Sequence, residues 1–202
     1  DMQLVAGRDL SLVGAQTNAK GNAALVAGRD LNLTTQQSGA SGEVFNRTTL
    51  NVGGSLALEA GNDLTLTAVQ VKAGNNLSVA AGNDINLNAL TTTQTTTSRY
   101  GSSTRQSVET SGLEAGGSIG LQAGQDINLA ASDLKAGESI AAIAGRDINL
   151  DQITSTNSSE EDIRRKRYSK QTEAHNDTVH GTSIQAGEGI ALIAGRDATL
   201  TA

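Results

Sequence analysis

The stretch Ala81-Gly82-Asn83-Asp84-Ile85-Asn86-Leu87 decides the fold, because its pattern of Ala-Gly-x-Asp-apolar-x-Leu is found seven times in the chain, once with Ala at the apolar place. The other copies begin at Ala6, Ala27, Ala60, Ala123, Ala144 and Ala194. Their glycines follow one another at steps of 21, 33, 21, 42, 21 and 50 residues, so the copies form pairs with longer segments between the pairs. Internal repetition at a fixed period of this length is typical of solenoids.

A second motif precedes most copies, and it reads Ala-Gly-Asn-Asn-Leu-Ser-Val from Ala73. Related forms begin at Ala115, Ala136 and Ala186, and the first pair departs from them with Ala19-Lys20-Gly21-Asn22. Around Ala73 the apolar residues alternate with small or polar ones in three segments, 69–73, 77–81 and 85–87. Alternation with a period of two predicts half-buried strands.

Three short strands and three corners in 21 residues predict one rung of an all-β fold, a parallel β-helix or β-solenoid. Stacked rungs about 4.8 Å apart pair each strand with its copies above and below, and the inward Leu, Ile, Val and Ala form the core. We expect Gly and Asn to supply positive φ angles at the corners. The leucine-rich repeat pattern is missing, and frequent Gly argues against helices.

The composition excludes several functions. The 202 residues include 23 Gly, no Pro, no Cys and only three aromatic residues, and the net charge is −6. Such a charge argues against a nucleic-acid partner, and the lack of Cys excludes disulfides and thiolate metal sites. No stretch is long and apolar enough for a transmembrane helix, and no signal peptide begins at Asp1. Since the chain starts and stops inside a repeat, we expect residues 1–202 to be one solenoid piece of a longer chain.

Polar inserts are predicted at about 34–49, 88–112 and 151–182, always between the second and third strands of every other rung. The middle insert has a Thr-rich run at 91–98 and Gly101 near its centre, which favours a β-hairpin. The first insert has a similar centre at 38–42.

One hairpin in every two rungs adds two strands in every two rungs, so hairpins and rungs share a rise of about 4.8 Å per strand. We therefore hypothesise that successive hairpins stack into a continuous antiparallel flap along one edge. For the third insert, a flexible low-complexity loop is an equally open interpretation.

The repeated aspartates first suggest calcium sites. They are Asp9, Asp30, Asp63, Asp84, Asp126, Asp147 and Asp197. The paired glycines of the calcium-binding nonapeptide repeat are missing, so we interpret each Asp as closing its corner through local backbone N–H groups. Neighbouring Arg8, Arg29, Arg146 and Arg196 would soften repulsion between stacked carboxylates.

The third insert holds the remaining candidates for chemistry. Its charged run at 160–170 either contacts an anionic envelope surface or forms a solvated hairpin whose acidic and basic ends pair loosely. His175 and His180 flank Asp177, but their spacing matches no known metal site, and we expect an exposed polar loop. No nucleophile elbow is present, and three aromatic residues are too few for a sugar-cleaving groove. We therefore predict no enzyme, no catalytic residue, no cofactor, no metal and no small-molecule substrate.

With these inserts, the motifs AGRDLNL, AGNDINL and AGQDINL resemble the haemagglutinin repeats of filamentous-haemagglutinin-type exoproteins. More narrowly, paired rungs with an insert look like the second haemagglutinin-repeat region of contact-dependent growth-inhibition toxins. The resemblance implies a secreted, cell-surface protein that an outer-membrane two-partner-secretion transporter exports. It further implies that the region acts at the outer membrane or a surface receptor of a target bacterium.

Three functions remain open from sequence. The repeats are a toxin-delivery segment, a passive stalk of a filamentous adhesin that mediates attachment, or an ice- or glycan-binding solenoid with threonine arrays. The third is the weakest, because the threonines lie in irregular inserts rather than on a flat T-x-T face.

Overall fold

The computed structural model describes residues 1–38, 43–165 and 168–201, and at 38, 43–45 and 164–165 it describes the backbone alone. Strands and short turns make up this part of the chain, and none of it forms a helix that could cross a membrane. The chain passes through three parallel sheets in a fixed order, and one such passage is a rung. The predicted parallel β-helix is therefore confirmed.

The strands of each sheet come from successive rungs. The first sheet contains β1 (Met2–Ala6), β4 (Ala23–Ala27), β9 (Leu56–Ala60), β12 (Leu77–Ala81), β17 (Ile119–Ala123), β20 (Ile140–Ala144) and β25 (Ile190–Ala194). The second contains β2 (Leu10–Val13), β5 (Leu31–Thr34), β10 (Leu64–Thr67), β13 (Ile85–Asn88), β18 (Ile127–Ala130), β21 (Ile148–Asp151) and β26 (Ala198–Leu200). The third contains β3 (Gln16–Ala19), β8 (Thr49–Val52), β11 (Gln70–Ala73), β16 (Ser111–Ala115), β19 (Ser132–Ala136) and β24 (Ser183–Ala186).

Three antiparallel hairpins leave the corner between the second and third sheets, in the second, fourth and sixth rungs. They are β6 (Gln36–Ser38) with β7 (Glu43–Asn46), β14 (Leu90–Ser98) with β15 (Gly101–Glu109), and β22 (Ile153–Arg165) with β23 (Tyr168–His180). We call them the first, second and third hairpin. The prediction of hairpin inserts at one corner of alternate rungs is confirmed.

Register places equivalent motif residues on top of one another. Leu66 pairs with Leu33 below and Leu87 above. Leu87 pairs in turn with Leu129, although the second hairpin separates these two residues in the sequence. These leucines point inward and are essentially unexposed, as are their counterparts in the other two sheets. The alternation of the sequence therefore becomes one apolar core that runs along the stack.

Glycine is required at the corners for a different reason from the one expected. Gly82 donates its N–H to Ala60 O at 3.1 Å, and a Cβ at Gly82 would overlap the carbonyl oxygen of Gly61 in the rung below. Among the described glycines only Gly14 has a positive φ, 61°. The expectation that Gly and Asn supply positive φ at these corners is thus wrong, because close approach of stacked backbones excludes the side chain instead.

Left-handed residues close the hairpin corner in the rungs without an insert. Gly14, Ala68 and Ala131 occupy this corner in the first, third and fifth rungs, with φ angles of 61°, 54° and 46°. The same corner therefore takes two forms, a tight left-handed turn or a hairpin. An alanine in this conformation costs roughly 1–2 kcal/mol, which the surrounding stack must offset.

Candidate interaction surface: the hairpin sheet

Hydroxyl groups at the ends of the second and third hairpins hold them to the solenoid. Ser111, at the end of the second hairpin, is fully buried; it donates to Asn88 O at 2.7 Å and accepts from Val69 N at 3.3 Å. At the end of the third hairpin, Thr182 Oγ1 lies 2.9 Å from both Leu129 O and Asp151 O. Each hydroxyl thus joins its hairpin to a neighbouring rung. Neither residue is among those predicted from the sequence, although their place directly after each insert marks them.

The second and third hairpins join into one four-stranded antiparallel sheet in the order β14-β15-β22-β23, which we call the hairpin sheet. Strands β15 and β22 pair from Gly101 opposite Glu161 to Thr104 opposite Ser158, and Asp162 N donates to Tyr100 O at 2.6 Å. For these two hairpins the predicted flap is confirmed, and the flexible-loop interpretation of the third insert is wrong.

Nearer the solenoid, side chains take over the contact between the two hairpins. Gln106 N donates to Asn157 Oδ1 at 3.0 Å, and Thr156 N donates to Gln106 Oε1 at 2.7 Å. Two amide side chains therefore replace the backbone ladder where β15 and β22 separate. The contact between the hairpins continues toward the solenoid beyond the paired residues.

The first hairpin does not enter this sheet. Strands β6 and β7 form a separate two-stranded sheet, and its register is irregular between Gln36 and Gln37. A contact to the second hairpin is the ion pair of Arg47 with Glu109. The prediction of one continuous flap is therefore wrong for this hairpin, whose described strands are too short to extend along β14. Its predicted centre at 39–42 lies outside the described residues.

Small hydroxyl side chains dominate the hairpin sheet. Thr95 and Thr104 lie opposite each other with their Oγ1 atoms 3.3 Å apart, and Thr96 and Thr97 are exposed. At the turn of the second hairpin, Arg99 lies over the ring of Tyr100, 5.7 Å from its centroid. The hairpin sheet therefore presents a polar, hydrated surface of hydrogen-bonding hydroxyl groups.

Strand β23 is the outer strand of the hairpin sheet, and every residue in it except His180 is exposed. His175 contacts Asp177 at 3.1 Å, and His180 Nε2 lies 3.1 Å from Ser155 Oγ. A hydrogen bond from Thr156, with a smaller contribution from His175, lowers the pKa of Asp177. The expected loop is therefore a strand. No cluster of three or more metal-binding side chains is found in the described part of the chain.

Within the described residues, the backbone register of the third hairpin does not place the acidic end of the charged run opposite its basic end. Glu160 lies opposite Glu173, Ile163 opposite Lys170, and Arg165 opposite Tyr168. Residues 166 and 167, at the tip, lie outside the described residues. Acidic residues therefore gather in the middle of the hairpin and basic residues toward its end.

The repeated aspartates act between rungs. Asp126 Oδ1 accepts a hydrogen bond from Asp147 N at 3.1 Å. The two carboxylate oxygens of Asp126 also form a bidentate pair with Arg146, whose guanidinium lowers the pKa of this carboxyl. Arg29 with Asp9 and Arg196 with Asp147 repeat the arrangement. The interpretation that each Asp binds backbone N–H groups of its own corner is therefore wrong. The N–H group that the carboxylate accepts from belongs to the next rung. Arg29, Arg146 and Arg196 were expected to soften the repulsion between stacked carboxylates, and each of them forms a direct ion pair with an aspartate.

A stacked β-helix that carries a polar hairpin sheet at one corner belongs to the class of structural β-solenoid repeats. The family model described as hemagglutinin repeat matches residues 1–43, 38–111 and 100–174, and the chain belongs to that family. Repeats of this family are structural rather than catalytic and occur in secreted, cell-surface exoproteins. Neither the curated proteins nor the solved structures contain a match to the chain.

Proposed function

We propose that this chain is a non-enzymatic delivery segment of a secreted exoprotein, which meets the outer membrane of a target cell and supports passage of a toxin in contact-dependent growth inhibition. The observation that carries the proposal is the hairpin sheet, where two hairpins from different rungs pair into one ordered surface. A rigid stalk requires only the three sheets of the solenoid.

The chemistry of the surface supports a hydrated partner. Threonine and serine hydroxyls line the hairpin sheet, and exposed Arg99, Tyr100 and Tyr168 lie near the hairpin ends. Hydroxyls and tyrosines suit the sugars and phosphates of an outer-membrane surface better than its hydrocarbon interior. The solenoid then acts as the frame that fixes the position of the sheet.

Passive support of a filamentous adhesin is the alternative. The regular pairing of seven successive strands in both the first and the second sheet favours it, because such a stack transmits force along its axis whether or not hairpins are present.

Hairpin removal in the parent exoprotein distinguishes the two functions. Residues 89–110 and 152–181 are each replaced by one alanine, which copies the natural corner at Ala131. We expect target-cell binding to persist while growth inhibition and association with outer-membrane vesicles are lost. The matched control replaces residues 35–47, in the first hairpin, and should retain all three activities. Unchanged growth inhibition after removal of the hairpin sheet would identify the segment as a stalk.

A further inference from the structure

We propose that one face of the hairpin sheet holds a binding site for a sugar that carries an oxyanion group, with Arg105 as the residue that binds the oxyanion. The inference deepens the proposed function and rests on it, because it names the chemistry that the sheet recognises on a target surface. The site is a cavity of about 350 Å³ lined by residues of β15, β22 and β23. Strands added at either edge of the sheet lie in its plane, so they leave a cavity on its face open.

The strand register assigns the side chains around this cavity to one face of the sheet. Residues opposite each other in paired strands point to the same face, and neighbours along one strand point to opposite faces. Ser103 lies opposite Ser159, and Ser159 lies opposite Ala174. Residues two positions along each strand share this face, which we call the basic face. Its side chains at the cavity are Ser103, Arg105, Asn157, Ser159, Ala174 and Asn176.

The size of these side chains gives the cavity its shape. Ser103, Ser159 and Ala174 form one row across three strands, and their short side chains leave a shallow floor. Arg105 is exposed and much longer, so it forms a wall beside that floor. A cavity of this volume suits a small ligand that a few polar groups hold in one orientation.

Arg105 supplies a cation that no carboxylate pairs with among the described residues. Glu109, on the same strand and face, is already bound by Arg47. Glu161, on the same face of β22, lies four residues from Asn157, roughly 14 Å along the strand. At that distance salt screens most of its effect on the cavity. The planar guanidinium is therefore left to bind a phosphate or carboxylate group through two parallel hydrogen bonds.

Neutral hydrogen-bonding groups surround this cation and indicate that the ligand is a sugar rather than a bare anion. Asn157 Oδ1 accepts from Gln106 N at 3.0 Å, so the amide group of Asn157 that is left for a ligand is the Nδ2 donor. Asn176 lies opposite Asn157 and adds a second amide. The hydroxyls of Ser103 and Ser159 both donate and accept. A bare anion leaves most of these groups unused, whereas the hydroxyls of a sugar pair with them.

The opposite face of the sheet carries the reverse charge. Ser102 lies opposite Glu160, and Glu160 lies opposite Glu173. These three residues, with Ser158 and His175, line a second cavity of about 470 Å³ on that face. Serine hydroxyls are common to both cavities, but two adjacent carboxylates repel an anion. Only the basic face therefore suits a sugar with an oxyanion group.

Titration of the 202-residue chain with small probes, followed by nuclear magnetic resonance of its backbone amides, tests the site. The probes are glucose 6-phosphate, glucuronate, glucose and inorganic phosphate. We expect saturable shifts at residues 103–105, 157–159 and 174–176 with at least one of the two anionic sugars. Glucose and inorganic phosphate should each bind at least about tenfold more weakly, because each lacks half of the contacts. The ratio between the two anionic sugars identifies the preferred oxyanion.

Variants of Arg105 test the assignment of the cation. Arg105→Gln should weaken binding of the anionic sugar at least about tenfold, and Arg105→Lys should fall between, since it keeps the charge without the fork. The matched control is Arg99→Gln, at an exposed arginine that does not line the cavity, and it should bind like the native chain. Circular dichroism should be the same for all four proteins.

Three results would overturn the proposal: glucose binding as tightly as the anionic sugars, inorganic phosphate doing so, or Arg105→Gln binding like the native chain. Growth inhibition by the parent exoprotein tests the proposed function separately. If hairpin removal abolishes growth inhibition but no anionic sugar binds, the site alone is wrong. If the sugar binds at Arg105 but hairpin removal leaves growth inhibition unchanged, the delivery function is wrong and the site stands.

Discussion

At the scale of single residues, the repeated motif serves contacts between rungs. Gly82 is required because its backbone lies so close to that of Gly61 that no side chain fits between them. Asp126 accepts the N–H of Asp147 and holds Arg146, both of which belong to the following rung. The motif therefore recurs because each copy is half of a contact that the next copy completes.

A methyl group at Gly82 should destabilise the protein. In Gly82→Ala the new Cβ overlaps Gly61 O, so two rungs must separate locally, at a cost of about 1–3 kcal/mol. Urea unfolding measures the change. The control is Gly120→Ala, whose Cβ has no heavy atom within 4 Å and which should stay within about 0.5 kcal/mol of the native protein. Equal losses in the two variants would contradict the close-approach argument.

The ion pairs between rungs should make stability depend on pH. Arg146 lowers the folded-state pKa of Asp126, so the stabilisation is present above the unfolded pKa of about 3.9 and is lost as the pH falls through the folded pKa. Asp126→Asn keeps an oxygen for Asp147 N but removes the charge.

The difference in unfolding free energy between native protein and Asp126→Asn should therefore be larger at neutral pH than below the folded pKa. Urea unfolding at several pH values provides the measurement. Lys20→Gln, at an exposed residue of another corner, should show no such trend. A difference that stays constant with pH would argue against the ion pair.

At the scale of elements, the hairpins differ in whether they join a larger sheet. The second and third have strands of nine and thirteen residues and pair with each other, whereas the described strands of the first have three and four. Length decides the outcome, since a hairpin must reach beyond the wall of the solenoid before its edge meets a neighbour. Hydroxyl groups at the base, Ser111 and Thr182, then bond the hairpin to the solenoid.

Loss of the base hydroxyl should weaken the second hairpin. Ser111→Ala removes the acceptor of Val69 N and the donor to Asn88 O inside a buried corner, which should cost about 1–3 kcal/mol. Thermal unfolding and amide exchange of β14 and β15 report the effect. Ser103→Ala, at an exposed residue of the same hairpin, is the control and should change stability by less than about 0.5 kcal/mol. A tolerated Ser111→Ala would show that the turn alone positions the hairpin.

At the scale of the whole molecule, the rung without an insert is a spacer. A hairpin is two strands thick, about 9.6 Å, and two rungs rise by the same amount. The fifth rung therefore sets the distance at which β15 meets β22. This match between the thickness of a hairpin and the rise of two rungs explains why hairpins occur in alternate rungs.

Deletion of the spacer should break the hairpin sheet and leave the solenoid folded. Without residues 117–137, Gly116 joins Glu138 within the same motif, but the second and third hairpins leave adjacent rungs about 4.8 Å apart. We expect faster amide exchange in residues 101–104 with unchanged strand content by circular dichroism. Deletion of residues 1–21, an equally long rung outside this interval, should preserve protection there. Protection that survives loss of the spacer would contradict the matched rise.

The sequence by itself determined the rung, the alternation of buried and exposed residues, and the corner that bears the inserts, because these depend on local periodicity and on the equivalence of repeats. Only the tertiary structure decided that Asp126 serves Asp147, that Gly82 avoids Gly61, and that two of the three hairpins form one sheet. The physical reason is distance along the chain. Stacking brings together residues 21 to 50 positions apart, and a period shows that they repeat without showing which atoms of one copy meet those of the next.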